Sequence, residues 1–240
     1  MSNHTMEGKV AVVVGASSGM GKAIAKTFAN AGAQLSIAAR RGDVLEKLAA
    51  EFGDNCLACP TDACDPSEVQ QLISKTLERF GRIDILVYAT GTNIPQRSLE
   101  TLTHETWNMM LATNTTGAFN CVKAVLPPMQ MRQEGLIIFV SSTCVQSPDV
   151  SGVSYQASKH ALSGLAHGTF KEQQMHGIRT TVIYPGLCDT PLVLQRPVPT
   201  PEDVLAKALQ PQDVADACLY VATAPPRARI AELVMQPAGL

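Results

Sequence analysis

The chain alternates short apolar runs with longer amphipathic stretches. Continuous apolar runs are typical of strands buried on both faces, and apolar positions three or four residues apart are typical of helices. The runs that predict strands are Val10–Val14, Leu35–Ala38, Cys56–Cys59, Ile85–Tyr88, Leu136–Val140, Thr180–Tyr184 and Glu232–Met235. The stretches that predict helices are Gly21–Ala31, Asp43–Phe52, Pro66–Phe80, His104–Met131, Ser154–His176 and Pro211–Thr223. This alternation predicts an α/β fold, a doubly wound parallel seven-stranded sheet with helices on both faces.

One segment interrupts the alternation. Residues 187–210 contain four prolines and show little periodicity. A long irregular segment in a compact domain is more often a functional loop than a structural accident. Because it follows a predicted strand, we expect it at the carboxyl edge of the sheet, where open α/β folds bind ligands. The 240 residues are predicted to form one domain, with 187–210 as its substrate-side loop.

A glycine-rich loop joins the first predicted strand to the first predicted helix, with the spacing Gly-x-x-x-Gly-x-Gly. Small residues let the backbone approach a pyrophosphate, and the helix N-terminus offers N–H groups to the anion. A plain strand-to-helix turn has the same pattern, but the position directly after a strand favours dinucleotide binding. The predicted cofactor contacts in this loop are Gly15, Ser17, Ser18, Gly19, Met20 and Gly21.

The end of the second predicted strand indicates which dinucleotide is bound. The chain there reads Ala39-Arg40-Arg41, without the acidic residue that usually holds the ribose of NAD. A guanidinium favours the 2′-phosphate of NADP, although a solvated basic pair at a helix start has the same signature. We predict NADP(H) over NAD(H), with Arg40 as the phosphate contact and Arg41 and Ser17 as helpers. Asp62, with Ala63 beside it, is predicted to accept a hydrogen bond from the adenine amino group, although a surface acid in a turn fits equally.

A serine, a tyrosine and a lysine form the candidate catalytic group. Tyr155 and Lys159 are four residues apart, so they share one face of a helix. A tyrosine pKa near ~10 is too high for acid–base catalysis at neutral pH, and a nearby ammonium lowers it. Ser142 follows the predicted strand Leu136–Val140, from where its hydroxyl can donate to a substrate oxygen. The Tyr-x-x-x-Lys pattern alone is also typical of a tyrosine packed under a lysine stem.

From about Gly8 to Pro237 the chain resembles the short-chain dehydrogenases/reductases in their short single-domain form. The resemblance is carried by the glycine loop, Asp84-Ile85-Leu86-Val87, Asn114, Ser142, Tyr155-x-x-x-Lys159 and Pro185-Gly186-x-x-x-Thr190. It implies a Rossmann fold and an NADP(H)-dependent oxidoreductase that transfers a hydride to or from a small carbonyl or alcohol. It also implies a homodimer or homotetramer.

The resemblance also implies a role for each site residue. Tyr155 is expected to act as general acid in reduction and as base in oxidation, and Lys159 to lower its pKa and hold the nicotinamide ribose. Ser142 is expected to position the carbonyl oxygen. Asn114 is expected to interrupt its helix and anchor a water between Lys159 and solvent, with a helix kink and no proton relay as the alternative. The remaining implied cofactor contacts are Ala89, Gly91, Pro185, Gly186 and Thr190.

Two parts of the chain depart from the family pattern. Tyr88-Ala89-Thr90-Gly91 stands where such proteins usually have Asn-Asn-Ala-Gly. The asparagines normally help to brace the sheet, so we expect Tyr88 and Thr90 to pack differently while Gly91 keeps its backbone contact. Ser18 stands where NADP-preferring members often have a basic residue, which leaves Arg40 as the main phosphate candidate.

Composition excludes several function classes. A net charge of −2 does not support binding to nucleic acid or to an anionic membrane. The chain has no apolar run of the ~20 residues that a bilayer span requires. The polar start Met1–Gly8 lacks the apolar segment of a signal peptide, which predicts a cytoplasmic protein.

No metal site is predicted from the seven cysteines. Cys56-x-x-Cys59 resembles a redox or zinc half-site, but no second pair follows it, and structural thiols are the favoured interpretation. Mostly uncharged residues such as Cys144, Leu187 and Val193 flank the expected substrate site, which predicts a moderately apolar substrate. Two alternatives to the oxidoreductase are an NADP(H)-binding sensor or scaffold and an epimerase or dehydratase that uses the same tyrosine.

Overall fold

The computed structural model describes residues 5–239, so the predicted polar start lies outside the described residues before Thr5. The strands are β1 (Val10–Val14), β2 (Gln34–Ala39), β3 (Cys56–Pro60), β4 (Ile85–Tyr88), β5 (Gly135–Val140), β6 (Ile178–Pro185) and β7 (Glu232–Met235). They form one parallel sheet in the order β3-β2-β1-β4-β5-β6-β7. The predicted α/β class and its seven strands are confirmed.

Eight α-helices connect and cover these strands within residues 5–239. They are α1 (Gly19–Asn30), α2 (Gly42–Ala50), α3 (Pro66–Phe80), α4 (His104–Leu111), α5 (Gly117–Arg132), α6 (Val153–Gln173), α7 (Glu202–Leu205) and α8 (Pro211–Ala222). The single helix predicted over His104–Met131 is wrong in one respect, because a wide π-helical turn at Ala112–Thr116 separates α4 from α5. The short α7 was not predicted.

Strand β1 shows why the strands are apolar throughout. Ala11 and Val13 pack on one face of the sheet with α1, α2 and α8. Val12 and Val14 pack on the other face with α3, α5 and α6. Successive side chains of a strand point to opposite faces, so a sheet that is covered on both sides requires an unbroken apolar run.

Local signals set the ends of the helices. In α3, the Asp65 carboxylate accepts hydrogen bonds from the backbone N–H groups of Ser67 (2.7 Å) and Glu68 (3.3 Å), and Pro66 occupies the first turn. Gly81 ends the helix in the left-handed conformation at φ 75°.

Among residues 5–239, no helix has both the length and the apolar character needed to cross a bilayer.

The strand order creates a crevice at the carboxyl edge of the sheet. From β1 the chain proceeds outward through β2 and β3, and from β4 it proceeds in the opposite direction through β5 to β7. The connections that follow β1 and β4 therefore diverge, which is the position where open α/β sheets bind ligands.

Candidate active site

The loop between β1 and α1 requires glycine for close approach. A Cβ atom on Gly21 would lie 2.2 Å from the carbonyl oxygen of Gly15, and one on Gly15 would lie 2.8 Å from the Thr90 nitrogen. Gly15 also has φ 94°, in the region that favours glycine. Ser18 precedes α1, and no side chain caps this helix, so its first N–H groups remain available to a ligand.

This loop borders a cleft of about 770 Å³, called here the main cleft. Most of the predicted site residues line it: Gly15, Ser17, Ser18, Gly19, Met20, Arg40, Arg41, Asp62, Ala63, Ala89, Gly91, Tyr155, Lys159 and Thr190. Gly21 is buried behind the loop, and Asn114 is fully buried beneath the cleft.

A smaller cavity of about 100 Å³, called here the inner cavity, adjoins the main cleft and shares Met20, Tyr155 and Thr190 with it. The inner cavity holds the other predicted residues, Ser142, Pro185 and Gly186. The segment 187–210 contributes Thr190 to both spaces, so it lies at the predicted edge of the sheet.

Two arginines follow β2 at the edge of the main cleft. The Arg41 guanidinium donates a 2.8 Å hydrogen bond to the Ser17 hydroxyl, which attaches it to the glycine loop. Arg40 is exposed and makes no hydrogen bond or ion pair with any residue of the described chain. Asp62 lies across the cleft, where its carboxylate accepts from the Cys64 N–H at 2.9 Å. A free guanidinium therefore stands where the sequence predicts the 2′-phosphate contact.

Ser142, Tyr155 and Lys159 come together where the main cleft meets the inner cavity. Tyr155 lies in the first turn of α6, and Lys159 follows one turn later with its Nζ atom 5.7 Å from the centre of the tyrosine ring. The Lys159 ammonium donates a 3.0 Å hydrogen bond to the Val140 carbonyl at the end of β5. Ser142 lines the inner cavity together with Tyr155, and its hydroxyl accepts a 3.3 Å hydrogen bond from the Cys144 N–H. Neighbouring Ser141 instead donates to the Lys159 carbonyl at 3.3 Å.

Burial governs the acid–base properties of this pair. The Tyr155 side chain is buried, and this burial raises the pKa of its phenol although the neighbouring Ser142 hydroxyl acts in the opposite direction. The effect of burial on the Tyr155 pKa therefore outweighs the opposing effects of its neighbours in the protein alone, and the lowering of this pKa by Lys159 stays a prediction. Burial disfavours the charged form of the lysine as well, and lowers the pKa of Lys159 to about 8.

Asn114 connects the turn after β4 to α6. Its side-chain oxygen accepts from the Thr92 N–H at 2.8 Å, and its amide group donates to the Thr92 carbonyl at 3.1 Å and to the Ser158 hydroxyl at 2.9 Å. The π-helical turn at Ala112–Thr116 shows the implied interruption of the helix. Its effect is to bring Asn114 within reach of the loop that contains Gly91.

Tyr88 explains how the chain departs from the family pattern at the end of β4. Its ring is fully buried, and its hydroxyl donates a 2.5 Å hydrogen bond to the Thr113 carbonyl inside the π-helical turn. Gly117 makes room for this hydroxyl, because a Cβ there would lie 2.5 Å from it. Tyr88 thus braces the turn that carries Asn114, which is the different packing that the sequence predicts.

Sequence reasoning missed two arginines of the inner cavity. Arg97 comes from the segment between β4 and α4, and Arg196 from the segment 187–210. Neither belongs to a periodic element or a motif, so only the folded chain places them beside Tyr155.

Cys56 and Cys59 do not have the surroundings of a reactive or metal-binding cysteine pair. Burial raises the pKa of Cys56 to about 12 and that of Cys59 to about 11, so both thiols stay protonated at neutral pH. Across residues 5–239, no three His, Cys, Asp or Glu side chains are grouped so that they could hold a metal ion.

Comparisons with known proteins agree with this architecture. The sequence profile of the short chain dehydrogenases matches residues 9–197. An uncharacterized oxidoreductase of Staphylococcus saprophyticus is 34% identical over 236 residues, which cover 97% of this chain and 98% of the relative.

Two solved structures have a similar fold over nearly their whole length. A 3-ketoacyl-(acyl-carrier-protein) reductase of Brucella melitensis, complexed with NADH, has a TM-score of 0.89 at 26% identity and covers 98% of this chain and 99% of its own. An alcohol dehydrogenase of the archaeon Thermococcus sibiricus, complexed with 5-hydroxy-NADP, has a TM-score of 0.86 at 29% identity and covers 97% of each chain.

Proposed function

The chain belongs to the short-chain dehydrogenase family, and from this premise we propose that it transfers a hydride between NADP(H) and the carbonyl or secondary alcohol carbon of a small molecule. The observation that carries the proposal is the meeting of Ser142, Tyr155 and Lys159 at the inner end of a cleft that begins at the glycine loop. A phosphate-binding end and a proton-transfer end in one cleft are what a nicotinamide-dependent oxidoreductase requires.

The main cleft fits a dinucleotide. A Cβ atom on Gly15 or Gly21 would clash with neighbouring backbone, so only glycine permits the tight turn of this loop. The uncapped start of α1 offers N–H groups to a pyrophosphate. Arg40 and Arg41 suit a 2′-phosphate, and Asp62 suits an amino group of the adenine. The two solved relatives contain NADH and 5-hydroxy-NADP, which supports a nicotinamide cofactor.

The chain's own residues supply the proton chemistry. A bound nicotinamide provides the hydride in reduction and accepts it in oxidation. Tyr155 donates the proton from its hydroxyl to the carbonyl oxygen, and the Ser142 hydroxyl holds that oxygen in place. Because burial raises the pKa of Tyr155, the donor form is present throughout the neutral range, which favours reduction. The Lys159 cation stabilises the negative charge that develops on the phenol oxygen.

The rate of reduction should depend on the charge of Lys159. With a pKa of about 8, Lys159 is protonated below that pH and becomes neutral above it. We expect kcat/KM for reduction with NADPH to be level between about pH 6 and 7 and to fall about tenfold per unit well above pH 8. Lys159→Arg keeps a charge at every pH and should move the fall to higher pH. A wild-type profile that stays level to about pH 10 would contradict the role of Lys159.

Arg40 and Arg41 should determine the preference for NADPH. Arg40→Ala and Arg41→Ala each remove a charged partner of the 2′-phosphate, and we expect each to raise the Kd of NADPH by about 10- to 100-fold, with the larger effect at Arg40. The Kd of NADH should change by less than about twofold, since NADH has no 2′-phosphate. Titration calorimetry with both cofactors measures this, and Arg227→Ala, an exposed arginine outside both cavities, is the control. Equal losses for the two cofactors would overturn the assignment.

The direct test is consumption of NADPH and NADH against a panel of ketones, aldehydes, diketones and oxo acids. Turnover that Tyr155→Phe lacks supports hydride transfer. Cofactor binding without turnover of any compound favours the alternative, an NADP(H)-binding sensor or scaffold.

The proposed enzyme is a homodimer or homotetramer. Met109 on α4 and Phe119 and Met131 on α5 are exposed apolar side chains on neighbouring helical segments, which suits an interface between copies. Light scattering after gel filtration measures the mass, and a value of 25.6 kDa would refute the oligomer.

A further inference from the structure

The inner cavity contains more positive charge than hydride transfer requires. Arg97 and Arg196 both line it, in the same space as Ser142 and Tyr155. The Arg97 side chain belongs to a residue that is only 7% exposed, and arginine is rarely buried to this extent unless it is paired. Hydride transfer does not explain why these two cations lie beside the proposed proton donor.

The hydrogen bonds of Arg97 leave one side of its guanidinium free. Its Nη2 atom donates a 2.7 Å hydrogen bond to the Gln195 carbonyl. Its Nε atom is buried and has no hydrogen-bond partner. An N–H group that is left unsatisfied in this way is costly in a folded protein, which points to a partner outside the chain.

No acidic side chain of the described chain forms a close ion pair with Arg97, although Asp149 lies near enough to raise its pKa. Among residues 5–239 no carboxylate forms an ion pair with it. Asp149 lines the same cavity, but it is exposed, and its carboxylate accepts a 2.8 Å hydrogen bond from the Ser151 N–H. Burial and then the nearby Arg196 lower the pKa of Arg97, and the opposing effect of Asp149 does not compensate for them. Arg196 itself donates to the Thr200 hydroxyl at 3.0 Å.

We propose that Arg97, assisted by Arg196, binds a carboxylate of the substrate, so that this enzyme acts on small oxo acids and hydroxy acids. The inference deepens the proposed function and rests on it, because the same Tyr155 serves the reacting carbonyl. The guanidinium of Arg97 is a planar fork of N–H donors whose Nε–H has no partner in the described chain, and such a fork matches the two oxygens of a carboxylate.

The reaction leaves this carboxylate unchanged. In the direction of reduction, the carbonyl carbon gains a hydride as NADPH is oxidised to NADP⁺, and the carbonyl oxygen gains the proton of Tyr155. Leu192 and Val193 also line the inner cavity, so a short apolar body can accompany the charged group. The proposed substrate therefore keeps the moderately apolar character expected from the sequence and also carries a single negative charge.

Matched acids and esters test the proposal. We would measure kcat/KM with NADPH for acetoacetate against methyl acetoacetate, and for 2-oxobutanoate against its methyl ester. We expect at least one acid to be preferred over its ester by about 10- to 100-fold, the usual effect of a charged hydrogen-bonded pair. The acid-to-ester ratio should collapse towards one in Arg97→Gln and be partly kept in Arg97→Lys. Arg196→Gln should lower the ratio less, and Arg227→Gln, outside both cavities, should leave it as in the wild type.

A binding measurement separates this proposal from the proposed function. Butanoate should raise the unfolding temperature of the NADPH-loaded protein more than butanamide does, and this difference should be lost in Arg97→Gln. If carbonyl compounds are reduced but acids and esters react equally, the carboxylate site is wrong and the hydride transfer stands. If butanoate binds through Arg97 but no carbonyl compound is reduced, the hydride transfer is wrong and the carboxylate site stands. If Arg97→Gln does not fold, the wild-type and Arg97→Lys ratios decide the question, because equal acid and ester rates in both would overturn the proposal.

Discussion

Tyr155→Phe should lower kcat for carbonyl reduction by about 10³-fold while the Kd of NADPH stays within about twofold of the wild type. The substitution removes one hydroxyl group, the proposed proton donor, from the junction of the main cleft and the inner cavity. It leaves the glycine loop and the two arginines after β2 intact, so the proposed phosphate-binding end of the cleft is unchanged. Single-turnover measurement of NADPH oxidation with a saturating substrate reports the chemical step directly.

Tyr184→Phe is the matched control for this experiment. Tyr184 is also buried, and its hydroxyl donates a 3.1 Å hydrogen bond to Glu232. The substitution therefore also removes a hydrogen-bonded hydroxyl, but from a residue that lines neither cavity. We expect it to keep a rate close to that of the wild type. A Tyr155→Phe enzyme that retains the wild-type rate would show that the proton comes from another group and would remove the mechanism proposed for Tyr155.

Asp84→Asn should lower the free energy of unfolding by about 3 kcal/mol, because it breaks a buried cluster of charges. The Asp84 side chain is 3% exposed. Its carboxylate accepts hydrogen bonds from the Val10 N–H (2.8 Å), from Arg132 (2.9 Å) and from two nitrogens of Arg82. These bonds join the starts of β1 and β4 to the end of α5. The neutral amide removes the buried counter-charge of both guanidinium groups and leaves them, within the described chain, only the half-exposed carboxylate of Glu134.

Thermal and urea unfolding measure this effect, and the unfolding temperature should fall by roughly 6–12 °C for a chain of this size. Asp54→Asn is the control, since Asp54 is fully exposed and its ion pair with Arg79 is long, at 3.6 Å. The control should change the stability by less than about 0.5 kcal/mol. Because Asp84 lies at the amino edge of the sheet, the folded variant should keep its turnover. Equal stabilities of Asp84→Asn and the wild type would show that the cluster does not hold the strands together.

Acid should weaken the same cluster. Burial alone would raise the pKa of Asp84, but the hydrogen bonds from Arg82, Val10 and Arg132 outweigh it and hold the pKa below its usual value. A carboxylate whose pKa is lowered by folding stabilises the native state above its unfolded pKa, and this stability is lost as the pH falls through the folded pKa. The stability difference between wild type and Asp84→Asn should therefore shrink below about pH 4.

Prediction from the sequence succeeded where a residue pattern is local. The unbroken apolar run of β1 and the Asp65-Pro66 start of α3 act through neighbours in the chain, and both elements lie where the pattern places them. The division of the predicted helix at Asn114 could not be derived from periodicity. It depends on the Tyr88 hydroxyl, which reaches the Thr113 carbonyl from a strand 25 residues earlier.

The site shows the same division between local and distant causes. The glycine loop and the Tyr155–Lys159 spacing predict a cofactor end and a proton-transfer end, because a loop and one helical turn fix their geometry. The sequence indicated the cation near Tyr155 but not the burial of both groups, which is the larger influence on their pKa values. That burial comes from residues remote in sequence, such as Met110 and Ile94, which pack around the ring.

The sequence by itself therefore determined the α/β class, the order of the elements, the family and the residues of the proposed hydride-transfer site. These features rest on periodicity and on motifs whose members are close in the chain or occur in a fixed order. Only the tertiary structure decided which way burial shifts the Tyr155 and Lys159 pKa values, how Tyr88 braces the turn at Asn114, and that Arg97 and Arg196 meet in the inner cavity. Dielectric environment and charge pairing depend on distances in space, and the packing of the sheet brings together residues that the chain keeps far apart.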